Sequence, residues 1–184
     1  MIIYFVRHAS AGQHVPNPKK DEKRPLDADG IEQCGFVGRA LAAMNAQPEV
    51  IISSPLKRAT QTASLIGNEL GYEGRLQLEP ALRPDAAFPD FRRMLEKCSR
   101  YEAVMVVGHN PSITEFLARI MVKSGSEALI DFKKGAVARV ETVRHAAKLN
   151  WFFTPKMARA IHAAATTAAE KLGTFSTTGS PLRS

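Results

Sequence analysis

Cysteine is scarce in this sequence: Cys34 and Cys98 are its two cysteines among 184 residues, and they lie far apart. A disulfide-stabilised secreted domain needs several cysteines, and a zinc site built from cysteine pairs needs them at short spacing. The sequence therefore argues against both classes of protein. We expect each cysteine to pack inside a helix as a small apolar residue.

Long hydrophobic runs are also missing, since no stretch approaches the ~18 consecutive apolar residues of a membrane-spanning helix. No basic leader segment stands before the first apolar run, so the sequence predicts a cytoplasmic protein without a membrane partner. The length, with 45% hydrophobic and 23% charged residues, is typical of one soluble globular domain.

Basic residues outnumber acidic ones, which gives the chain a formal net charge of +7. The sequence has neither an arginine-rich run nor the alternation of aromatic and basic residues that is typical of nucleic-acid surfaces. Part of the excess charge lies from residue 155 onward, where four basic residues stand against one acidic residue. We therefore expect no nucleic-acid partner, and we interpret the positive field as one that attracts anionic substrates.

Arginine and histidine residues follow the strand-like apolar runs of this chain. Arg7 and His8 end the first run, His109 follows a later one, and Arg58 lies where a short strand gives way to a helix. Because the carboxyl ends of parallel strands meet at one edge of an α/β sheet, these four side chains can converge. Guanidinium groups hold phosphoryl oxygens, and a neutral imidazole can displace a leaving group. The pattern therefore predicts a phosphoryl-transfer site.

These segments resemble the histidine phosphatase superfamily, which includes the phosphoglycerate mutases. The motifs that carry the resemblance are the Arg7-His8 start, the Ser-Ser-Pro-x-x-Arg-Ala-x-Gln-Thr-Ala block at 53–63 and the Gly-His-Asn-Pro turn at 108–111. The short length and the Trp-Phe-Phe-Thr-Pro stretch at 151–155 are more similar to the small branch of SixA-type phosphohistidine phosphatases. The resemblance covers residues 1–157.

The order of apolar runs predicts the fold. Strands are predicted at 1–6, 49–53, 76–78 and 103–107, helices at 29–44, 55–70, 91–98 and 111–121, and two further strands at 136–143 and 148–153. We therefore predict an α/β fold, a single-domain three-layer α/β/α sandwich with a mainly parallel sheet and an antiparallel hairpin at its edge. Ser54 is the predicted N-cap of its helix, and residues 10–25 are predicted to form a surface loop.

Three parts are predicted along the chain: a catalytic domain over 1–157, an amphipathic helix packed on it over 158–172, and a flexible tail over 173–184. A helix that contacts a second copy or another partner is the alternative for 158–172. The sequence leaves the oligomeric state open.

Within the predicted site, His8 is the expected nucleophile, with a neutral ring whose tautomer is fixed by a backbone carbonyl. Arg7 and Arg58 are expected to hold the phosphoryl oxygens, and His109, as an imidazolium, to stabilise the transition state. The resemblance implies a covalent phosphohistidine intermediate. Two histidines without a carboxylate or cysteine at ligand spacing, and with two arginines nearby, predict neither a metal nor another cofactor.

The chain departs from the family pattern at several positions. Larger relatives carry a general-acid glutamate where this chain has Pro84, the family's glycine after Arg-His is Ala9 here, and the loop asparagine that often helps to bind phosphate is not in register. Asp85 is the nearest substitute, and His14 and Asn17 are weaker candidates for substrate contact. A site without a strong acid suits a histidine leaving group better than an alkoxide, which leaves poorly without a proton.

We therefore predict a metal-independent phosphatase that acts on phosphohistidine in a protein, such as a histidine-containing phosphotransfer domain or a phosphocarrier. A small-molecule phosphomonoesterase with the same site remains an alternative, although the segment between Arg58 and His109 is short for a substrate-binding insertion. A non-catalytic phosphate-binding module is a further alternative, against which the presence of all four site residues argues. The sequence does not identify the physiological substrate.

Overall fold

The computed structural model describes residues 1–14, 16–122, 129–143 and 146–174, with only the backbone over 170–174. Within these ranges, six strands lie at Ile2–Arg7 (β1), Val50–Ser53 (β2), Gln77–Leu78 (β3), Ala103–Gly108 (β4), Val137–Val143 (β5) and Ala146–Phe153 (β6). The helices of the same ranges are Pro18–Glu22 (α1), Ala28–Ala43 (α2), Lys57–Glu69 (α3), Phe88–Lys97 (α4), Ser112–Met121 (α5) and Pro155–Thr174 (α6), with a 3-10 turn at Pro80–Leu82.

The strands form one sheet in the order β3-β2-β4-β1-β5-β6. β1, β2, β3 and β4 pair in parallel, whereas β5 pairs antiparallel with both β1 and β6. The predicted α/β fold, with a mainly parallel sheet and an antiparallel edge hairpin, is confirmed.

The register of the central strands positions the site. Arg7 at the end of β1 pairs with Gly108 at the end of β4, and Ser53 at the end of β2 pairs with Val107. His8 and His109 therefore leave neighbouring strands at the same level of the sheet.

The sheet is covered on both faces, which explains why its central strands are continuously apolar. From β1, Tyr4 and Val6 pack in a core with buried residues of α2, α3 and α6. Ile3 and Phe5 point to the other face and pack with buried residues of α4 and α5. The site thus lies at one edge of a rigid three-layer core.

The segment 10–25 differs from the predicted loop because it contains α1. Asn17 caps this helix, its Oδ1 accepting a hydrogen bond from Lys20 N at 3.2 Å, and Pro18 occupies the first helical position. Both are ordinary helix-start signals. With only five residues, α1 is too short to show an apolar periodicity in the sequence.

Two helix ends also differ from the prediction. Ser54 is not the N-cap of α3, which begins at Lys57 after Leu56 and has no side-chain cap hydrogen bond. α6 extends to Thr174, past the predicted end of its helix, and residues 175–184 of the predicted tail lie outside the described residues. No helix in the described part of the chain is long and apolar enough to cross a membrane.

Candidate active site

His8 is buried just after β1, and both its backbone and its ring are held in place. Its N–H donates to the carbonyl oxygen of Gly108 at 3.0 Å, and its ring Nδ1 lies 2.7 Å from the carbonyl oxygen of Ala9. Because a carbonyl oxygen only accepts, Nδ1 carries the ring proton. The Nε2 atom of the neutral ring therefore keeps its lone pair.

The ring of His8 is neutral at pH 7. Burial, followed by the positive charges of Arg58, Arg7 and Lys134, lowers the pKa of His8 to about 3. The hydrogen bond to Ala9 acts in the opposite direction and does not compensate. This charge state agrees with the one that the sequence analysis expects for a nucleophile.

Arg7 is held by the backbone of the segment before β5, which passes the end of β1. Its Nη1 donates to the carbonyl oxygen of Phe132 at 2.7 Å, while its Nε is buried and has no acceptor among the described residues. Burial lowers the pKa of Arg7, and the charge of Asp131 opposes that shift. A buried cationic N–H without an acceptor is costly, and an anion beside it would relieve that cost.

Arg58 lies in the first turn of α3 and is almost completely buried. Its Nη1 donates to the backbone oxygen of Asp21 at 2.9 Å and to Oδ2 of the same residue at 3.1 Å. Its Nε, like that of Arg7, is buried without an acceptor in the described part of the chain. The structure thus places a second cationic N–H donor at the site.

Thr62 connects Arg58 to the loop that follows His8. Its hydroxyl donates to the carbonyl oxygen of Arg58 at 2.7 Å and accepts from the backbone N–H of Ala9 at 3.1 Å. The threonine of the Gln-Thr-Ala motif therefore has a positional role that the sequence pattern did not predict.

His109 follows β4 and is 1% exposed. Its ring centroid lies 4.8 Å from that of His8, and its Nε2 lies 2.8 Å from Oγ of Ser54. The Nδ1 atom is buried and has no partner among the described residues. Arg7, His8, Arg58 and His109 thus meet at the carboxyl edge of the parallel strands, which is the arrangement that catalysis of phosphoryl transfer requires.

Comparison with known proteins identifies the family. The sequence profile of the histidine phosphatase superfamily (branch 1) matches residues 3–92. An uncharacterized protein from Picosynechococcus sp. is 32% identical over 126 residues, which cover 65% of this chain and 73% of that protein. The phosphohistidine phosphatase SixA of Escherichia coli is 25% identical over 167 residues, which cover 88% of this chain and all of SixA. The chain belongs to the histidine phosphatase superfamily.

Solved structures of the superfamily show the same fold. The protein histidine phosphatase SixA complexed with tungstate superposes with a TM-score of 0.74 at 23% identity, covering 84% of this chain and 97% of that one. The alpha-ribazole phosphatase from Shigella flexneri gives a TM-score of 0.63 at 15% identity, covering 84% and 97% of the two chains. The predicted membership in the superfamily and in its SixA-type branch is confirmed, and the protein is a phosphatase.

The charge state of His109 in this histidine phosphatase differs from the predicted imidazolium. Burial, together with the nearby His8, Arg58 and Arg83, lowers the pKa of His109 to about 2, and the charge of Asp21 does not compensate. The ring is therefore neutral at pH 7. A phosphoryl anion beside it would favour the protonated form and raise this pKa.

Asp21 is a buried carboxylate at the site that the sequence analysis does not anticipate. Its Oδ2 accepts from Arg58 Nη1, and its Oδ1 accepts from Arg24 Nε at 2.8 Å and lies 3.2 Å from Nδ1 of His14. It is the fourth residue of α1, so the cap and proline that start this helix are the signals that could have revealed it.

Arg83 is a further cation near the site. Its side chain forms an ion pair with Glu22 of α1, and its carbonyl oxygen accepts from Ser112 Oγ at 2.9 Å. Its positive charge is one of those that lower the pKa of His109, after the larger effect of burial. Arg83 directly precedes the proline that stands at the family's acid position.

The three weaker candidates from the sequence have different surroundings. Asp85 is 86% exposed on its side chain and lies 4.0 Å from Arg83 Nε. Asn17 uses its side chain to cap α1. The ring of His14 is 74% exposed and contacts Asp21, so it reaches the site only through that carboxylate.

The histidine, carboxylate and thiol groups of the described residues bear on whether the site holds a metal or a reactive cysteine. In those residues, no group of three or more histidine, cysteine, aspartate or glutamate side chains could hold a metal ion. Cys34 and Cys98 are both buried free thiols, and burial raises the pKa of Cys34 to about 12. Cys34 is therefore a protonated, apolar side chain.

Proposed function

We propose that this histidine phosphatase hydrolyses phosphohistidine on a protein, without a metal, through a covalent intermediate on His8. The observation that carries the proposal is the hydrogen bond from His8 Nδ1 to the carbonyl oxygen of Ala9 at 2.7 Å. It leaves Nε2 as the free nucleophilic nitrogen of a neutral ring, beside two arginines with unused buried N–H groups.

In the first step, Nε2 of His8 attacks phosphorus. The new N–P bond forms as the bond from phosphorus to the substrate's histidine nitrogen breaks. The substrate ring carries a proton on its other nitrogen, so it leaves as neutral imidazole, while His8 keeps its Nδ1 proton. The phosphoryl group carries its negative charge on three equatorial oxygens during this transfer. Arg7 and Arg58 are the donors that stabilise this charge, and their fixed positions avoid reorganisation during the reaction.

His109 supplies a further donor in this proposal. Ser54 Oγ accepts from the backbone N–H of Leu56 at 3.4 Å, which leaves its own hydrogen free to donate to Nε2 of His109 at 2.8 Å. The ring proton of His109 then lies on Nδ1, where the described residues provide no acceptor. A phosphoryl oxygen is the acceptor that this N–H lacks.

In the second step, water attacks the phosphorylated His8. The bond between Nε2 and phosphorus breaks, the electron pair returns to the ring, which has kept its Nδ1 proton, and both protons of the water leave with the inorganic phosphate. Neutral His8 is regenerated, so the cycle needs no further reactant.

The surroundings of the carboxylates support the proposed substrate class. Asp85 is exposed, and Asp21 is held by two guanidinium groups, so it accepts hydrogen bonds rather than donating a proton. A leaving imidazole, unlike an alkoxide, does not depend on a strong acid. The similarity to SixA, a phosphohistidine phosphatase by name, points the same way. A phosphotransfer domain or phosphocarrier as the partner, and a cytoplasmic location, belong to the same proposal.

A small phosphomonoester is the second candidate substrate. A groove of about 700 Å³ along the 3-10 turn and α4 is lined by polar residues that include Arg83, Asp85 and Arg93. Such a groove would suit a small polar molecule. Turnover of a phosphorylated histidine-containing domain beside a panel of metabolite phosphates distinguishes the two classes, and a preference for one metabolite would favour the second.

The substitution His8→Ala tests the mechanism. We expect the variant to fold, because His8 contributes little to either core, and to lose all measurable hydrolysis. Acid-labile radiolabel from the substrate should be trapped on the wild-type protein and be absent from the variant. His162→Ala removes an exposed histidine of α6 that packs on Phe36, and should keep both activity and label. Substantial turnover by folded His8→Ala protein would rule out His8 as the nucleophile.

A further inference from the structure

The segment from Asp131 to Gly135 is held against the active site at two points. The side chain of Phe132 is fully buried, and its carbonyl oxygen accepts from Arg7 Nη1 at 2.7 Å. Gly135 N–H donates to the carbonyl oxygens of Arg7 and His8, both at 3.1 Å. The backbone on either side of Lys134 is therefore fixed relative to the nucleophile.

The backbone conformation of Gly135 allows its N–H to reach the carbonyl oxygens of Arg7 and His8. Its φ is +70°, a value that residues with a Cβ rarely adopt. A Cβ added at this position would lie 2.7 Å from Cγ of Pro155, so the close approach also requires glycine. Lys134 is thus presented by a segment with little freedom to shift.

The two lysines of this segment differ in their partners. Lys133 Nζ forms an ion pair with Asp131 Oδ2 at 2.8 Å. Lys134 is exposed and has no ion pair within 4.0 Å among the described residues. Burial has the largest part in lowering the pKa of His8, and the charge of Lys134 adds to that effect. The charge of Lys134 thus reaches the nucleophile and also Asp27, whose pKa it helps to lower against the opposing effect of burial, whereas the charge of Lys133 is paired with Asp131.

We propose that the ammonium group of Lys134 binds the phosphoryl group of the substrate in addition to the arginines and His109. The inference rests on the proposed function, because it assigns a binding role at the same site. Lysine is a flexible point charge and not a bidentate clamp, and this one is exposed to solvent. We therefore expect it to act on substrate binding more than on the transition state.

The test compares Lys134→Ala with the matched control Lys133→Ala. We expect Lys134→Ala to raise both the KM and the inhibition constant of inorganic phosphate by about fivefold, as for a partly screened charge pair, with kcat little changed. Lys133→Ala should match the wild type, and Lys134→Arg should retain most of the affinity. The wild-type inhibition constant should also rise more steeply with ionic strength than that of Lys134→Ala.

Two results would overturn the inference. In one, Lys134→Ala behaves like Lys133→Ala in both constants. In the other, KM rises but the inhibition constant of phosphate does not, which would place Lys134 against another part of the substrate. Calorimetric titration of each variant with phosphate measures the contact without turnover. If the wild type hydrolyses no phosphohistidine, the proposed function fails while the calorimetric comparison still decides the role of Lys134.

Discussion

The carboxyl edge of the parallel strands carries Arg7, His8, Arg58 and His109. The segments that cover it, here called the cover, are α1, residues 83–85 and residues 131–135, and they are built in a different way. At the edge, strand register determines position: Arg7 pairs with Gly108, so the two histidines that follow lie side by side. In the cover, side chains and loops determine position: Asp21 of α1 is held by Arg58, and the Phe132 carbonyl is held by Arg7. The difference indicates that the edge supplies the reacting groups, while the cover sets their charge and orientation.

The cover also explains the neutral state of the edge histidines. It excludes water from both rings, and the charges of Lys134 at His8 and of Arg83 at His109 add to that of Arg58 at the edge. Both effects disfavour a charged imidazole. A nucleophilic histidine must be neutral. Burial and nearby positive charge keep the ring of His8 neutral, and they do the same for the ring of His109.

The largest expected effects at the site, after loss of the nucleophile, come from the other edge residues. Arg58→Ala and His109→Ala should each reduce kcat by on the order of 10²-fold or more, because each removes a preorganised donor. Steady-state kinetics with a phosphohistidine substrate measures this loss. Phosphate, vanadate or sulfate should compete for the same site.

The control for these variants is Arg39→Ala. Arg39 is an exposed arginine on α2 that pairs with Glu69, so its removal takes away a similar charge without touching the site. We expect wild-type rates from it. Rates reduced by only a few fold in folded Arg58→Ala or His109→Ala protein would show that the edge residues are not the charge-stabilising groups.

The edge could be predicted from the sequence because Arg7 ends a strand, His8 and His109 directly follow strands, and Arg58 lies in the first turn of the helix after β2. Apolar runs locate the strands, parallel pairing aligns their ends, and Arg7, His8 and His109 therefore converge without further information. The fold class was predictable for the same reason, since the alternation of strands and helices is encoded in local periodicity.

The cover could not be predicted in the same way. Asp21 has a role only because Arg58, far along the chain, folds back against it. Serine is a residue type that is common at helix N-caps, but the hydroxyl of Ser54 contacts His109 instead. The neutral state of His109 depends on burial, which no local pattern reports. Each of these features comes from tertiary contacts.

A smaller effect is expected from the cover, where two carboxylates allow a direct comparison. Asp21→Asn should lower kcat by on the order of tenfold, because Arg58 loses the partner that orients it. The inhibition constant of phosphate should not rise, since a negative charge near the anion is also removed. Asp85→Asn should barely change phosphohistidine hydrolysis, because this side chain is exposed and paired with Arg83.

The two variants separate positioning from acid catalysis. Asp21→Glu, which keeps the charge, should recover part of the rate. Asp85→Asn should also be assayed on an alkyl phosphate, whose poor leaving group reveals any loss of a proton donor. Equal and large losses from Asp85→Asn on both substrates would identify Asp85 as the general acid and remove the main argument for a protein substrate.

The last expected effect concerns stability against acid and not catalysis. The pKa values of His8 and His109 are lowered to about 3 and about 2, whereas an unfolded histidine titrates near pH ~6.5. Below pH ~6.5 the unfolded chain takes up protons at these positions while the folded protein does not. Their full contribution to stability is therefore present above this pH and is lost progressively as the pH falls towards 3.

The variant His109→Gln tests this expectation. The comparison uses the slope of the free energy of unfolding against pH, because a loss of stability that is the same at every pH leaves that slope unchanged. Each histidine adds at most about 1.4 kcal/mol per pH unit to the decline in the free energy of unfolding. Urea unfolding at pH 7.5, 6 and 5 should show a shallower decline for His109→Gln than for the wild type. Parallel declines for wild type and His109→Gln would show that His109 is not held neutral by the segments that cover it.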